Sequence, residues 1–220
     1  QKKQSLFNLS ERVPRNTREW SMKFGLMSAN LMGNVEGAAA GELAQKAEEV
    51  GFHSIWAVEH AVVPLEYAST YPYDDGGRLF KGASQLDHSD PLIWLAFAAA
   101  ATTKIRLATG ILILPQRNPL IAAKEIASLD RLSNGRLDLG IGVGWLREEF
   151  EALGVPFEAR GARTDEYLRA LKVLWSETEA EFHGNFVDFA PVYCQPKPTQ
   201  QPIPILVGGH SDRAAQRAGE

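Results

Sequence analysis

The chain has 220 residues, of which 45% are apolar and 23% are charged, the ordinary balance of a soluble globular protein. Its net charge of −4 argues against binding to the phosphate backbone of nucleic acids, which needs a basic surface. A single cysteine, Cys194, excludes an internal disulfide, and no apolar stretch approaches the roughly 20 residues of a membrane helix. We therefore expect a cytoplasmic protein without nucleic-acid or membrane partners.

Residues 1–21 differ in composition from the rest of the chain. They carry five basic and two acidic residues and show little apolar periodicity. We expect a disordered basic leader here, followed by one folded domain over residues 22–220. The alternative is a basic arm that binds a partner, although the basic residues do not cluster.

From Met22 onward, apolar strands alternate with helices. The predicted strands are Met22–Met27, His53–Glu59, Ile105–Leu114, Arg136–Val143 and Ile203–Val207. The predicted helices are Gly41–Val50, Pro91 to about Thr103 with Asp90 as its cap, Pro119–Leu132, Thr164–Trp175, and a last helix capped by Ser211 or Asp212. This alternation predicts an α/β fold with a parallel sheet.

Two segments interrupt the alternation of strands and helices. Ala61–Ser89 is long, polar and rich in Tyr, Gly and Asp, which is typical of a functional loop such as a lid. Glu179–Pro202 contains a His-Gly-Asn turn between two short β-prone runs. We expect a hairpin insertion before the fifth strand.

The carboxyl ends of parallel strands are where ligands bind in α/β proteins, so we examined those ends first. The second strand ends in Glu59-His60, a pair that either handles a proton of a ligand or forms a structural hydrogen bond. Thr109-Gly110 interrupts the apolar third strand. A glycine there marks a bulge or close ligand approach, or else tight packing against a helix.

Glycines also follow the fourth and fifth strands. Gly144-Trp145 is a flexible turn before a flat aromatic, which either walls a pocket or belongs to the core. Gly208-Gly209-His210-Ser211 opens a helix directly after a strand. Such a helix start binds phosphate through free N–H groups, unless it is an ordinary turn with Ser211 as the cap.

Other common site chemistries have no support in the sequence. His53, His88 and His183 have no partners at metal-ligand spacing, and no HExxH motif occurs. The Gly-x-Ser-x-Gly elbow of serine hydrolases and Walker-type loops are also missing. We expect no metal site.

Four stretches together resemble the bacterial luciferase-like family of flavin and deazaflavin oxidoreductases. They are MKFGLM, GELAQKAEEVGFHSIWAVEH, RLATGILILPQRNPLIAAKEIASLDRLSNGRLDLGIGVGWLREEFEALG and PILVGGHSDRAAQRAGE, and they span Met22 to Glu220. The long central stretch is the most specific. Within the family, the chain is most similar to the branch that uses coenzyme F-420, an 8-hydroxy-5-deazaflavin.

The resemblance implies a TIM (β/α)8-type barrel with the cofactor at its C-terminal face. The family's acid–histidine pair corresponds to Glu59 and His60, and its strand-three bulge, often with a non-prolyl cis peptide, corresponds to Gly110-Ile111 beside Thr109. Its loop near the ring corresponds to Gly144 and Trp145, and its phosphate loop to Gly208, Gly209, His210 and Ser211. Some deazaflavin dehydrogenases have a glutamate proton donor where this chain has Trp145, so that sugar-phosphate activity is not implied.

The implied chemistry is hydride transfer between coenzyme F-420 and a small organic substrate. His60 would handle the proton, and Glu59 would orient His60 or hold a hydroxyl of the cofactor. An FMN-dependent monooxygenase that uses O₂ and a partner flavin reductase is the second hypothesis. The third is a non-catalytic flavin-binding protein or inactive fragment. The resemblance also implies a homodimer.

The number of strands departs from the family pattern. Five predicted strands are fewer than the eight of a closed barrel, which spans about 250 residues. We therefore expect a barrel truncated after about five βα units. Either the chain is a truncated product, or the missing part comes from another chain, or the fold is a reduced variant.

Overall fold

The computed structural model describes residues 22–79 and 86–220. The predicted leader, residues 1–21, lies outside the described residues. The helices are α1 (Gly37–Glu49), α2 (Pro91–Ala101), α3 (Pro119–Leu132), α4 (Arg147–Ala152), α5 (Arg160–Ser176) and α6 (Asp212–Gly219). The strands are β1 (Gly25–Leu26), β2 (Ser54–Ala57), β3 (Arg106–Thr109), β4 (Leu112–Ile113), β5 (Leu137–Gly142), β6 (Ala180–His183), β7 (Asp188–Val192) and β8 (Ile205–Val207).

Six strands form one parallel sheet, in which β1 pairs with β2, β2 with β3, and β5 with β3, β4 and β8. Because β3 and β4 are two halves of the predicted third strand, the sheet contains the five predicted parallel strands. The described chain is thus a partial (β/α) barrel. β6 and β7 form the predicted antiparallel hairpin before the fifth strand.

Helix boundaries follow the capping residues where these are strong. The Asp90 side chain accepts the N–H groups of Leu92 and Ile93, and Asn118 does the same for Leu120 and Ile121. Both helices begin with proline, as predicted. Helices α1 and α5 each begin four residues before their predicted starts. Neither helix has a side-chain cap that would have marked its first residue in the sequence. The short helix α4 was not predicted.

The core lies between the sheet and the helices that cover it. Ile55, Leu107, Leu139 and Ile141 of the strands are fully buried, as are Leu95 of α2, Ile126 of α3 and Leu171 of α5. Strands buried on both faces explain the continuous apolar runs of the sequence. No helix of the described segments is long and apolar enough to cross a membrane.

The third strand is broken where the sequence prediction had one continuous strand. Leu107 lies opposite Leu137 of β5, while Leu112 lies opposite Ile141. The third strand therefore contains one residue more than its partner over this stretch, which is a β-bulge. The peptide bond between Gly110 and Ile111 in the bulge is cis.

Substitution of Gly140 tests the close contact that seats this bulge. A Cβ atom at Gly140 would lie 1.9 Å from the carbonyl oxygen of Thr109, so the backbones of β3 and β5 would have to separate. We expect Gly140→Ala to lower the free energy of unfolding by about 1–3 kcal/mol or more, measured by urea denaturation.

Gly41→Ala in α1 is the matched control. Its new Cβ would lie 3.6 Å from that of Ala101, an ordinary contact, so alanine's helix propensity should stabilise the protein by about 0.5–1 kcal/mol. An equal effect of both substitutions would contradict the proposed contact.

Candidate active site

A cavity of about 700 Å³ lies at the carboxyl ends of the parallel strands. Its lining includes most of the residues selected from the sequence: Glu59, His60, Gly110, Ile111, Gly144, Trp145, Gly208, Gly209, His210 and Ser211. These residues come from four separate loops or strand ends. The topology therefore brings the predicted site residues to one place, with the exception of Thr109.

Thr109 does not line the cavity. Its side chain is fully buried, and its hydroxyl donates a 2.6 Å hydrogen bond to the carbonyl of Gly140. Thr109 was predicted to bind a cofactor, but this contact gives it the role of joining β3 to β5 below the bulge. A hydroxyl within an apolar strand needs such a partner when it is buried.

The bulge forms one wall of the cavity. The Gly110 N–H donates to the carbonyl of Ala57 at 2.7 Å, which holds the bulge against β2. The Ile111 side chain packs against two glycines, since a Cβ atom at Gly142 or Gly208 would lie 2.6 or 2.9 Å from it. These glycines leave the space that Ile111 fills.

Glu59 is buried beside this wall, and its carboxylate binds Arg117 rather than His60. Its carboxylate accepts from Nη2 of Arg117 at 2.5 Å, from Nε at 3.1 Å and from the N–H of Ile113. Burial raises the pKa of Glu59, while the Arg117 charge and the Ile113 N–H act in the opposite direction. Arg117 also contacts Asp90 at 2.6 Å. Glu59 thus ties the bulged strand to α2 instead of orienting His60.

His60 is oriented by a residue that the sequence analysis missed. Oε2 of Glu149 lies 3.0 Å from Nδ1 of His60, and the Glu149 side chain is fully buried. Oε1 of the same carboxylate accepts the N–H of Ala61 at 2.7 Å. Glu149 belongs to α4, directly after the Gly144-Trp145 turn.

The neighbouring residue, Glu148, holds the loop that covers the cavity. Its carboxylate accepts the N–H groups of Ala68 at 2.7 Å and Ser69 at 3.2 Å. Partial desolvation would raise the pKa of Glu148, but the hydroxyl of Ser69 and the backbone N–H groups outweigh it and lower the pKa to about 2. The first turn of α4 therefore fastens residues 61–69 at two points.

Aromatic rings continue from His60 to the other end of the cavity. Trp145 lies 6.0 Å from the His60 ring and 5.1 Å from Tyr71, both edge to face. Tyr71 contacts Tyr73 at 5.5 Å, and Tyr73 contacts His210 at 5.2 Å. The tyrosines belong to the predicted loop over Ala61–Ser89, whose described part thus forms a wall of the cavity.

The glycine-rich turn before α6 forms the far end. Gly209 has a φ of 122°, and Ser211 caps α6 by accepting the N–H of Ala214. Within the described part of the chain, the N–H groups of Gly209, His210 and Ser211 donate to no other group. The turn can therefore be both a helix start capped by Ser211 and a phosphate-binding turn, because capping by Ser211 leaves these N–H groups free.

Two arginines add positive charge near this turn. Nε of Arg160 donates to the carbonyl of Gly144 at 3.0 Å, and its guanidinium stacks 3.7 Å from the centre of the Phe157 ring. Arg217 of α6 is paired with Asp165 of α5. Arg160 therefore brings the less neutralised charge to the cavity.

Metal ligands are not clustered in the part of the chain that the structure describes. No group of three or more His, Cys, Asp or Glu side chains there could hold a metal ion. Cys194 is buried just after the hairpin and is not among the residues that line the cavity.

Comparison with known proteins identifies a family to which this chain is similar. A model of the family described as luciferase-like monooxygenase matches residues 22–220. An uncharacterized protein of Mycobacterium tuberculosis is 37% identical over 187 residues, which are 85% of this chain and 65% of that protein. The FMNH2-dependent dimethylsulfone monooxygenase of Pseudomonas putida is 34% identical over 178 residues, 80% of this chain and 44% of the enzyme.

Solved structures share the fold. A monooxygenase from Streptomyces bottropensis is 34% identical with a TM-score of 0.65, over 84% of this chain and 53% of that one. An F-420-dependent secondary alcohol dehydrogenase has a TM-score of 0.69 at 24% identity, over 90% of this chain and 55% of that one. The chain thus spans about half to two thirds of the length of these proteins.

Neutralising Glu148 should release the loop from α4. In Glu148→Gln, the N–H groups of Ala68 and Ser69 exchange a charged acceptor for a neutral amide oxygen, which should cost about 1–2 kcal/mol. We expect their hydrogen exchange at pH 7 to accelerate by roughly 5–30-fold, as loss of one or two kcal/mol implies. Glu151→Gln, on the exposed side of the same helix, is the control and should leave both rates unchanged.

The effect of Glu148 should also depend on pH. Because its pKa is about 2 in the folded protein and ordinarily 4.5, its contribution is complete above pH 4.5 and is lost as the pH falls toward 2. The difference between wild type and Glu148→Gln should therefore shrink between pH 4.5 and 2. A constant difference over this range would assign the loop's protection to other contacts.

Proposed function

Because the chain belongs to the luciferase-like monooxygenase family, we propose that it is an oxidoreductase that transfers a hydride between coenzyme F-420 and a small organic substrate. The observation that carries the proposal is the place of His60. Its ring is held by a buried carboxylate, and it lines a cavity between the bulge at Gly110-Ile111 and the glycine-rich turn before α6. A proton-transferring group thus shares one cavity with an anion-binding helix start.

The residues present fit a flavin-type cofactor. The cavity volume of about 700 Å³ falls within the roughly 300–1,000 Å³ of small-molecule and cofactor sites. A phosphate would be held by the N–H groups of Gly209, His210 and Ser211, at the positive end of α6, with Arg160 supplying charge. Gly209 has no side chain to keep a phosphate from its backbone, whereas the space beside Gly208 is filled by Ile111.

In the proposed reaction, the cofactor and the protein have different roles. When bound, the deazaflavin ring supplies the carbon that accepts or donates a hydride. His60 holds or accepts the accompanying proton at Nε2. Trp145 and Tyr71 exclude water from the space beside His60, and Ile111 with Gly110 provides a rigid wall.

The cavity lining favours an uncharged, mostly apolar substrate. Leu31, Val58, Val63, Leu79 and Ile113 line it. The one carboxylate among the lining residues, that of Glu59, is neutralised by Arg117. A cationic substrate group would therefore find no free carboxylate among the described residues that line the cavity, whereas a hydroxyl would find Nε2.

An FMN-dependent monooxygenase is the second candidate, because a relative named as an FMNH2-dependent monooxygenase is 34% identical to this chain. That reaction would consume O₂ and would need a flavin reductase to supply reduced FMN. The same turn before α6 would hold the FMN phosphate. The two candidates differ in which cofactor binds and in whether O₂ is consumed.

A fluorescence titration with oxidised F-420 and with FMN separates the candidates. We expect tighter binding of F-420, and a Kd raised at least tenfold by Gly209→Asp, because a loss of about 1.4 kcal/mol at the phosphate corresponds to a factor of ten. Asp at this position would place a negative charge beside the phosphate.

Gly154→Asp is the matched control, since Gly154 also has a positive φ but has no neighbour within 4 Å. It should leave Kd unchanged. Preference for FMN would favour the monooxygenase, and binding of neither cofactor would favour the non-catalytic hypothesis.

Replacement of His60 tests proton handling. The amide nitrogen of the side chain in His60→Asn can still donate to Glu149, but the variant has no group in place of Nε2. We expect turnover with the cofactor that binds to fall by about 10²–10⁴-fold, the usual contribution of general acid–base catalysis, with little change in cofactor Kd. Full turnover in this variant would remove His60 from the mechanism.

A further inference from the structure

Glu149 is a buried carboxylate with two kinds of partner. Oε1 accepts the N–H of Ala61 at 2.7 Å and faces the N–H of Val62 at 3.4 Å, while Oε2 faces Nδ1 of His60 at 3.0 Å. No part of the Glu149 side chain is exposed, whereas the His60 side chain is 20% exposed. The carboxylate thus lies behind the imidazole, on the side away from solvent.

This arrangement decides which nitrogen of His60 carries the hydrogen. An ionised carboxylate only accepts hydrogen bonds, so Nδ1 must be the donor. In the neutral ring, Nε2 then has a free lone pair. Nε2 has no hydrogen-bond partner within residues 22–79 and 86–220, and the ring lines the cavity.

We propose that Glu149 is a positioning residue that fixes His60 as the Nδ1–H tautomer, so that Nε2 accepts a proton from a substrate hydroxyl. This inference rests on the proposed function and specifies the direction of proton transfer. As the substrate C–H bond breaks and its hydride passes to the oxidised deazaflavin, the O–H bond also breaks and its proton binds Nε2. The substrate carbon becomes a carbonyl carbon, and the cofactor gains the two electrons.

Other polar groups near His60 do not set its ring. Nε2 of His88 lies 2.5 Å from the backbone carbonyl of His60, not from its imidazole. Glu59, the preceding residue, is engaged by Arg117 and Ile113. Trp145 presents a ring edge at 6.0 Å. Glu149 is therefore the polar side chain that fixes the imidazole.

The same geometry predicts the effect of a single amide substitution. In Glu149→Gln, the N–H of Ala61 still requires an acceptor, so the amide oxygen should remain at the position of Oε1. The amide NH₂ group then occupies the position of Oε2 and donates to Nδ1 of His60. The tautomer should invert, with the hydrogen on Nε2.

The first test is ¹⁵N NMR of histidine-labelled protein without cofactor, at a pH at which the ring is neutral, with His60→Asn to assign the signals. We expect Nδ1–H in the wild type and Nε2–H in Glu149→Gln. Glu148→Gln, which changes the adjacent carboxylate, should leave the His60 signals as in the wild type. Nε2–H in the wild type, or no change in Glu149→Gln, would overturn the proposal.

The second test is kinetic and uses the cofactor that binds in the titration. Glu149→Gln should lower kcat for oxidation of an alcohol by about 10²-fold, the lower range for loss of a general base, with KM little changed. A rise in KM alone would contradict the positioning role. The NMR test needs no cofactor, so the two tests can fail separately. If NMR shows the predicted tautomers but no turnover is found, the proposed function is rejected and the role of Glu149 in fixing the His60 tautomer stands.

Discussion

The cavity depends on how closely β3 and β5 approach each other. Gly140 allows the carbonyl of Thr109 to reach a position that any side chain on Gly140 would occupy. The Thr109 hydroxyl then binds the carbonyl of Gly140 in return. Beyond this contact, the strand formed by β3 and β4 contains one residue more than β5. This extra residue produces the bulge at Gly110-Ile111, which forms one wall of the cavity.

Two buried glutamates stabilise this arrangement from opposite sides. Glu59 lies beside the bulge wall and links the N–H of Ile113 to Arg117, which ties down the strand after the bulge. Glu149 lies behind His60 and links the imidazole to the start of the covering loop. Each carboxylate is buried with several donors, which is the condition under which a buried charge is tolerated. Separate carboxylates thus support the bulge wall and the His60 side of the cavity.

Much of this organisation could be predicted from local sequence. Apolar runs located the five parallel strands, and Asp90-Pro91 located the start of α2, because these signals act within a few residues. The candidate residues at strand ends followed from parallel topology, whereas Ile111 was selected through the family resemblance. Glu149 could not be found this way, because its partner His60 is 89 positions away and neither residue's spacing reveals the contact. For the same reason Glu59 was paired with its neighbour His60, although Arg117, 58 positions away, is its partner.

The loop over residues 61–89 is held to α4 through the backbone of residues 61–69. Glu148 and Glu149 bind the N–H groups of residues 61, 62, 68 and 69, and every amino acid except proline supplies such a group. The anchors therefore place almost no demand on side-chain identity in the loop, of which Val63, Tyr71 and Tyr73 line the cavity. Substrate preference can diverge by exchange of this segment, in evolution or by design, while the barrel and the helix that hold it stay the same.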